Sequence, residues 1–417
     1  MMENPSRTEL LAWLRLSLQP GLNRAAARSL LAEFGLPQHI FDASSSALAR
    51  HLPRDVVAGL QAPPPPEVQR AMDAAQQLLA QPGFHLLTLA DSAYPSQLLD
   101  SNDPPLLLYV RGNPQCLQQP SVAIVGARSA TEGGKDNARA FARHLAGRGW
   151  AVVSGLARGI DAAAHEGALQ SGGPGATMAV LACGLDIAYP RQHAALMDQI
   201  AATGAVVSEY APGTPAQPFR FPERNRIVAA LARGVLVVEA AVQSGSLVTA
   251  RLALECGREV FAIPGSIHAP LSRGCHALIR QGAKLVEQGS DIEEELQRSG
   301  SAPLPAATTP GAMAGRSSTN QTAATLFGPA RVSGESGRRN SEAAQAGPRP
   351  KNRMLKDPTV GRVLQALGYD PSDIDQLCQR SGLAFPKVAA ILTELELNDI
   401  VCRLEDGRFQ RRQAELL

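Results

Sequence analysis

Between residues 67 and 297, short apolar runs alternate with amphipathic stretches. Several of these runs are apolar at consecutive positions, which is the pattern of strands buried on both faces of a sheet. Strand–helix alternation with short connections predicts an α/β fold with a Rossmann-like, doubly wound, mostly parallel sheet. The predicted strands are HLLTL (85–89), LLLYV (106–110), SVAIVG (121–126), WAVVSG (150–155), MAVLACG (178–184), GAVVSE (204–209), GVLVVEA (234–240), REVFAIPG (258–265) and AKLVE (283–287). The predicted helices span 133–148, 161–171, 191–202, 223–233, 246–256 and 273–281.

The residues before this core have a helical pattern. Leucines recur at helical spacing, a Pro-Gly turn follows, and a second helix ends at Gly35. The run PPPP at 63–66 marks the next boundary. We therefore expect a small all-α module over residues 5–62 and the sheet core over 67–297.

The pattern is lost after the core and returns near the C-terminus. Residues 299–353 are rich in Ala, Gly, Ser, Pro and Thr and hold seven Arg and Lys against two Glu. Such a stretch buries too little apolar surface to offset its chain entropy, so we expect a disordered, mildly basic linker over 298–353. Three helical patterns and a short hairpin turning at Asp406-Gly407 then predict a winged helix over 354–417.

Composition excludes only a few classes of function. The formal net charge of +2 provides no global field, so a nucleic-acid partner has to be inferred from local charge. The six cysteines show no CxxC or CxH spacing, which indicates reduced thiols and no zinc site. The N-terminal residues lack the pattern of a signal peptide, and no apolar run could span a bilayer, so we expect a soluble, cytoplasmic protein.

Glycines and small hydroxyl residues cluster at the carboxyl ends of three predicted strands. Gly126 to Thr131 follow the first, Gly155 to Asp161 the second, and Val242 to Ser246 the third. In a doubly wound sheet these ends line the ligand crevice, and helix N-termini there offer N–H groups to phosphate. The alternative for any one loop is that its glycines only close a tight turn.

Two common nucleotide motifs are missing. Gly126-Ala127-Arg128 has an arginine where the dinucleotide motif GxGxxG needs its second glycine, and no Walker motif occurs. With arginines attached to two of the three loops, the pattern favours a ligand with a chain of phosphates over a nicotinamide cofactor.

A second cluster is Phe219-Arg220-Phe221-Pro222-Glu223-Arg224-Asn225-Arg226, just ahead of a predicted helix. Arginine forks bind phosphate oxygens in pairs, and aromatic faces stack on unpaired bases. The alternative is an arginine pair bridged to Glu223 or Glu239 at a helix start. We expect too few nearby carboxylates to pair with three arginines.

No reaction can be inferred from the sequence. The histidines have no paired-ligand spacing, and Ser154, Ser244 and Ser246 occupy turns that lack the GxSxG form of a nucleophile elbow. Asp161 and Glu239 are assigned first to helix capping and to pairing with the arginines. We therefore predict a protein that is not an enzyme and has no catalytic residues, cofactor or metal site.

Taken together, these segments resemble the DNA-processing protein A family (DprA, also called Smf) of bacterial natural transformation. The similarity lies in the number, order and spacing of several motifs rather than in any single one. The motifs are YPSQLLDSNDPPLLLYVRGN, VAIVGARSAT, VVSGLARGIDAAAH, TMAVLACGLDIAYP, FRFPERNRIVAAL, VVEAAVQSGSLVTARLALECGREVFAIPG and GCHALIRQGAKLV.

The resemblance implies an extended Rossmann fold that binds single-stranded DNA without sequence preference. It also implies a homodimer that loads the RecA recombinase onto incoming DNA and displaces or works around single-strand-binding protein. Residues 273–286 match the region of the family's dimer and recombinase-facing surfaces. The residues expected to bind DNA are Gly126, Arg128, Ser129, Gly155, Arg158, Phe221, Arg224, Asn225, Arg226, Gly245 and Ser246.

The end modules also resemble those of the family's longer members. The N-terminal module resembles a sterile-alpha-motif or helix-hairpin-helix module. Only Arg24 and Arg28 supply positive charge to its hairpin. Docking of another protein is therefore as good an interpretation as DNA binding. The winged helix holds eight Arg and Lys against ten Asp and Glu, which favours protein contacts over DNA binding. The alternative is a weak DNA contact made by the wing alone, through Arg403, Arg408, Arg411 and Arg412.

Two rival functions follow from the same residues. The core is also similar to lysine-decarboxylase-like phosphoribohydrolases, which process nucleotides, but Gln243 to Thr249 lacks the second glycine and the catalytic glutamate of their PGGxGTxxE loop. The other rival is an interaction adaptor whose end modules dominate and whose core pocket is vestigial.

Overall fold

A computed structural model describes residues 7–173, 175–298, 357–398, 400–404 and 406–411. They fall into two compact units, one within residues 1–303 and one within 304–417. The linker expected over 298–353 lies outside the described residues from 299 onward. The finer division of the first unit at residues 62–67 stays a prediction.

The first unit is built on one nine-stranded sheet in the order β1-β2-β6-β5-β4-β3-β7-β8-β9. Strands β3 to β9 pair in parallel, whereas β1 with β2 and β2 with β6 pair antiparallel. This sheet, with its surrounding helices, confirms the predicted fold class. The strands are β1 (Phe84–Thr88), β2 (Leu107–Gly112), β3 (Ser121–Val125), β4 (Ala151–Ser154), β5 (Thr177–Val180), β6 (Ala205–Ser208), β7 (Gly234–Val237), β8 (Glu259–Ala262) and β9 (Lys284–Leu285).

Helices cover both faces of this sheet. The helices of the first unit are α1 (Arg7–Leu18), α2 (Arg24–Phe34), α3 (Pro37–Asp42), α4 (Ser45–Leu48), α5 (Arg54–Gln61), α6 (Pro66–Leu79), α7 (Glu132–Gly147), α8 (Ile160–Leu169), α9 (Ala194–Thr203), α10 (Arg220–Leu231), α11 (Gly245–Glu255), α12 (Arg273–Arg280) and α13 (Gly289–Arg298). Short 3-10 turns occupy Ser96–Asp100, Pro114–Gln118, Arg191–His193 and Pro270–Ser272.

The central strand β3 is buried on both faces. Val122 and Ile124 belong to one hydrophobic cluster, with residues of α7 and α8, while Ala123 and Val125 belong to another, with residues of α10 and α11. Successive side chains of a strand point to opposite faces, so a strand covered on both sides needs apolar residues at every position. This explains the unbroken apolar run in the sequence.

The N-terminal helices pack directly on the sheet core. Trp13 and Leu14 of α1 share a buried cluster with Tyr109 of β2. Helices α2 to α5 enclose a smaller cluster that includes Leu30 and Ile40 and reaches Leu106 beside β2. The apolar faces of these helices are therefore buried against the core.

The second unit has the predicted winged-helix elements. Its helices span Pro358–Leu367, Ile374–Ser381 and Phe385–Leu397, and strands β10 (Val401–Arg403) and β11 (Phe409–Arg411) form an antiparallel hairpin. Gly407, at the predicted turn, has a φ of +84°, a conformation that glycine adopts without strain.

Some elements differ from expectation. Helices α6 and α13 were not predicted, and α10 begins at Arg220 rather than at residue 223. Pro222 fits in the first turn of α10 because the first N–H groups of a helix have no intrahelical partner. The arginine-rich cluster therefore lies within the helix and not ahead of it. Among the described residues, no helix is both long and apolar enough to cross a membrane.

Candidate functional site

A cavity of about 420 Å³ opens at the carboxyl ends of β3, β4 and β7. The central strand β3 is the point from which the chain winds outward in both directions, and such a switch point leaves a crevice in open α/β sheets. The cavity is lined by Val125, Gly126, Arg128, Ala157, Asp161, Tyr189, Ala216, Pro218, Phe221, Pro222, Arg224, Asn225, Ser244, Gly245, Ser246 and Thr249. The predicted loops therefore meet at one site.

Arg224 of α10 lies against the strand ends beneath this cavity. It is only 4% exposed, and its Nη1 donates to the carbonyl oxygen of Gly155 at 2.7 Å and to that of Val180. A Cβ at Gly155 would lie 2.3 to 2.5 Å from the guanidinium atoms, so only glycine admits the arginine there. Arg224 thus links α10 to the ends of β4 and β5.

Asp161, in the first turn of α8, balances the charge of Arg224. Its Oδ2 accepts hydrogen bonds from the N–H groups of Gly155 at 3.1 Å and Ala157 at 3.4 Å. Burial raises the pKa of this carboxyl, against the opposing effect of the Arg224 guanidinium and the two N–H groups. Burial likewise lowers the pKa of Arg224, and the Asp161 carboxylate opposes that shift. Each charge thus stabilises the other where both side chains are largely buried.

Arg128 and two aromatic rings form the rim. The guanidinium carbon of the exposed Arg128 lies 4.8 Å from the ring centroid of Phe221, within cation–π range. The Phe221 and Tyr189 rings are 5.5 Å apart, and Tyr189 is 47% exposed. The rim therefore combines a cation with an accessible aromatic surface.

The N-terminus of α11 forms another wall. Ser244 caps this helix by accepting from the N–H of Ser246, and Asn225 Nδ2 donates to the Gly245 carbonyl oxygen at 3.4 Å. Outside this helix start and its adjoining residues, no atom of the described parts of the chain lies within 4 Å of the position a Gly245 Cβ would take. A ligand can therefore approach the backbone of this helix start, where the helix dipole favours an anion.

The N-terminus of α7 is occupied by the protein itself. Thr131 donates to Glu239 from its backbone N at 2.9 Å and from its hydroxyl at 2.5 Å. A carboxylate thus already fills the position that an anion would take. Of the three predicted loops, the first contributes Gly126 and Arg128 to the cavity but not an open helix start.

Arg226, which was expected to bind DNA, does not line the cavity. It is 7% exposed, and its Nη2 contacts the Glu209 carboxylate oxygens at 2.6 and 2.5 Å. Its Nε lies 3.2 Å from Asp103. The expectation that too few carboxylates lie near the three arginines is wrong. Glu209 and Asp103 lie beside Arg226 in the fold, although both are distant from it in sequence.

The remaining predicted residues surround the cavity without lining it. Gly155 packs behind Arg224, and Ser129 and Arg158 are exposed on neighbouring loops. These loops touch, because a Cβ at Gly159 would lie 2.3 Å from the Ala127 carbonyl oxygen. Arg158 therefore adds positive charge near the rim.

Sequence reasoning missed Tyr189. It lies in the loop after β5, whose carboxyl end was not included among the three glycine-marked loops. An aromatic residue in the loop that follows a central parallel strand was the available signal.

A doubly wound sheet with an arginine-lined cavity at its carboxyl edge defines a Rossmann-like protein. The sequence profile of the family described as DNA recombination-mediator protein A matches residues 85–297, and that of the DprA winged helix domain matches residues 342–407. Protein Smf of Escherichia coli is 38% identical over 347 residues, covering 83% of this chain and 82% of Smf. The chain belongs to the DNA recombination-mediator protein A family, as the resemblance predicted.

Two further comparisons agree. The DNA processing protein DprA of Streptococcus pneumoniae is 47% identical over 214 residues, covering 51% of this chain and 75% of that protein. A crystal structure of DNA processing protein A from that organism matches with a TM-score of 0.56 and 37% identity, covering 68% of this chain and 97% of the other.

Proposed function

We propose that this chain binds single-stranded DNA at the cavity and acts as a recombination mediator without catalysing a reaction. The observation that carries the proposal is the convergence of Arg128, Phe221, Arg224, Asn225 and the α11 N-terminus on one cavity. Guanidinium groups and helix N-termini bind phosphate, while the aromatic rim stacks on a base. Gly126, Gly245 and Ser246 supply the close backbone approach, and the exposed Ser129 and Arg158 extend the contact beside the rim.

The dimensions favour a single strand over a duplex. A cavity of about 420 Å³ takes a nucleotide-sized group but not a double helix. The Tyr189–Phe221 pair offers a stacking surface only to a base that is not already stacked and paired. A flexible single strand can insert such a base, whereas a duplex would first have to be opened.

The candidate proton-transfer groups near the cavity already have structural roles, which supports binding without catalysis. Asp161 accepts from two backbone N–H groups and faces Arg224, and His193 contacts the Leu156 carbonyl oxygen at 2.9 Å. Neither group is poised as a general base beside a nucleophile. Incubation with nucleoside monophosphates should release no free base, and release would favour the phosphoribohydrolase alternative.

Family membership supports a wider role. We propose that a homodimer of this chain, acting in the cytoplasm during DNA uptake, loads RecA onto single strands that carry single-strand-binding protein. Adding the chain to RecA on strands coated with that protein should shorten the lag before ATP hydrolysis. An unchanged lag would contradict the loading role while leaving DNA binding intact.

The direct test of binding is a salt-titrated gel shift with single- and double-stranded oligonucleotides of one sequence. We expect the single strand to bind at least about tenfold more tightly, with an affinity that falls steeply as salt rises. Equal binding to the duplex, or binding without salt dependence, would contradict the proposal.

A further inference from the structure

Five charged side chains from four parts of the first unit meet beside α10. Arg24 and Arg28 come from α2, Asp103 from the loop before β2, Glu209 from the residue after β6, and Arg226 from α10. We call this set the arginine–carboxylate network. The family profile begins at residue 85, so the α2 arginines lie outside the matched region.

The contacts within the network are short and shared. Asp103 accepts from Arg28 Nη1 at 2.6 Å and from Arg24 Nε at 2.7 Å, and lies 3.2 Å from Arg226 Nε. Glu209 binds Arg226 at 2.5 Å and lies 3.7 Å from Arg24 Nη1. Both carboxylates therefore connect the N-terminal helices to α10.

Partial burial makes these contacts stronger than ordinary surface pairs. The Arg226 and Glu209 side chains are about one tenth exposed. Burial alone would lower the pKa of Arg24, but the Glu209 and Asp103 carboxylates raise this pKa above its usual value. Against the effect of burial, Arg28 and Arg226 lower the pKa of Asp103. These shifts favour the charged forms of Arg24 and Asp103.

Arg226 and Arg224 act on opposite sides of the same helix. Two residues along an α-helix rotate by about 200°, so one side chain faces the network and the other faces the cavity. Arg224 binds the strand ends at the carbonyl oxygen of Gly155. A shift of α10 at Arg226 would therefore displace Arg224 and Asn225 at the cavity.

We propose that the N-terminal helices are an intramolecular brace that sets the DNA affinity of the cavity through Arg226. Arg226 is a positioning residue, and Arg24 and Arg28 hold it through the shared carboxylates rather than contacting DNA. This inference rests on the proposed single-strand binding. It assigns to the N-terminal module a role inside the chain.

The sharpest test is Asp103→Asn, because it removes a negative charge without removing a positive one. If electrostatics alone governed binding, the variant would bind single strands equally well or more tightly. The proposed brace predicts the opposite change in affinity for single strands, a loss of about 5-fold or more. Asp42→Asn, an exposed position on α3 with the same change of charge, is the matched control and should leave affinity unchanged.

A second variant tests direct contact. Arg24→Gln with Arg28→Gln should weaken binding about 5-fold or more while the slope of log affinity against log salt stays that of the wild type. If both arginines contacted phosphates, that slope would fall by about 1.4, or roughly 0.7 for each contact. The control, Arg50→Gln with Arg54→Gln, removes the same charge from exposed positions of the same module.

Hydrogen exchange separates failure of the brace from failure of the proposed function. In Asp103→Asn, amides of Arg224–Leu231 should exchange faster than in wild type and in Asp42→Asn. If wild type bound no single strand, the proposed function would fail, whereas faster exchange would still support the brace. Unchanged exchange and affinity in folded Asp103→Asn, or the lower salt slope in the arginine variant, would overturn the brace.

Discussion

At the residue scale, neighbours in sequence have different roles in the fold. Arg224, Asn225 and Arg226 form one basic cluster in the sequence, yet the helix turns each side chain about 100° from the last. Arg224 and Asn225 line the cavity, and Arg226 enters an ion-pair network on the other side. Charge density in the sequence identified a segment that lines the cavity, but it did not distinguish the contacts that each member makes.

Arg128 should be the main phosphate contact at the rim. Among the described residues it has no ion-pair partner, so Arg128→Ala removes a free cation without exposing a buried carboxylate. We expect about tenfold weaker binding of single strands and a salt slope reduced by about 0.7, measured by anisotropy with a labelled oligonucleotide. The control Arg54→Ala should behave as wild type, and an unchanged slope in Arg128→Ala would contradict the contact.

Gly245 and Gly155 should respond differently to alanine. A methyl at Gly245 would meet no atom of another described segment within 4 Å, so the thermal midpoint should stay the same or rise slightly, since alanine favours a helix. The methyl would nevertheless project from a residue that lines the cavity, so we expect clearly weaker binding in a gel shift. In Gly155→Ala the added methyl would overlap the Arg224 guanidinium, so this variant should lose both thermal stability and single-strand binding.

Equal affinity of Gly245→Ala and wild type would mean that no ligand approaches this backbone.

Arg226→Ala should destabilise the first unit by about 3–5 kcal/mol, because it leaves the largely buried Glu209 side chain without its main partner. Urea unfolding followed by circular dichroism measures this loss. Replacing both residues by leucine should cost less than the single change, since no uncompensated charge then stays buried. A single variant as stable as wild type would show that the pair contributes little.

At the element scale, hydrophobic pattern predicted the strands well and helix starts less well. Consecutive apolar residues marked the strands because burial on both faces demands them at every position. The start of α10 was placed late because the Arg220-to-Glu223 turn has no apolar periodicity. Helix α6 was missed at the PPPP run, where proline in fact begins the helix.

The packing of α8 on β5 should make stability depend on pH. His165 is fully buried, its Nδ1 lies 2.7 Å from Thr177 Oγ1, and burial lowers its pKa to about 3. The unfolded chain takes up this proton near pH 6.5, so stability falls as pH drops below that value, by about 2 kcal/mol at pH 5. His165→Gln should remove this part of the pH dependence in urea titrations at pH 7.5 and 5.

An unchanged pH dependence in His165→Gln would assign the loss of stability to other groups.

At the scale of the whole molecule, the cavity lies entirely within the first unit. A chain ending at residue 298 should therefore bind a single-stranded oligonucleotide within a few-fold of full-length affinity. The fragment has to keep the N-terminal helices, because Trp13 and Leu14 share a buried cluster with Tyr109. Loss of binding on removal of the winged helix would favour the adaptor alternative.

The sequence by itself determined the class of fold, the loops at the strand ends and the family, because burial and backbone conformation are local demands on residue type. Only the tertiary structure decided which charges are available to a ligand. Glu209 and Asp103 reach Arg226 from distant segments, and Glu239 fills the start of α7 from beyond β7. Ion pairing depends on distance in space, which a linear pattern of charges does not contain.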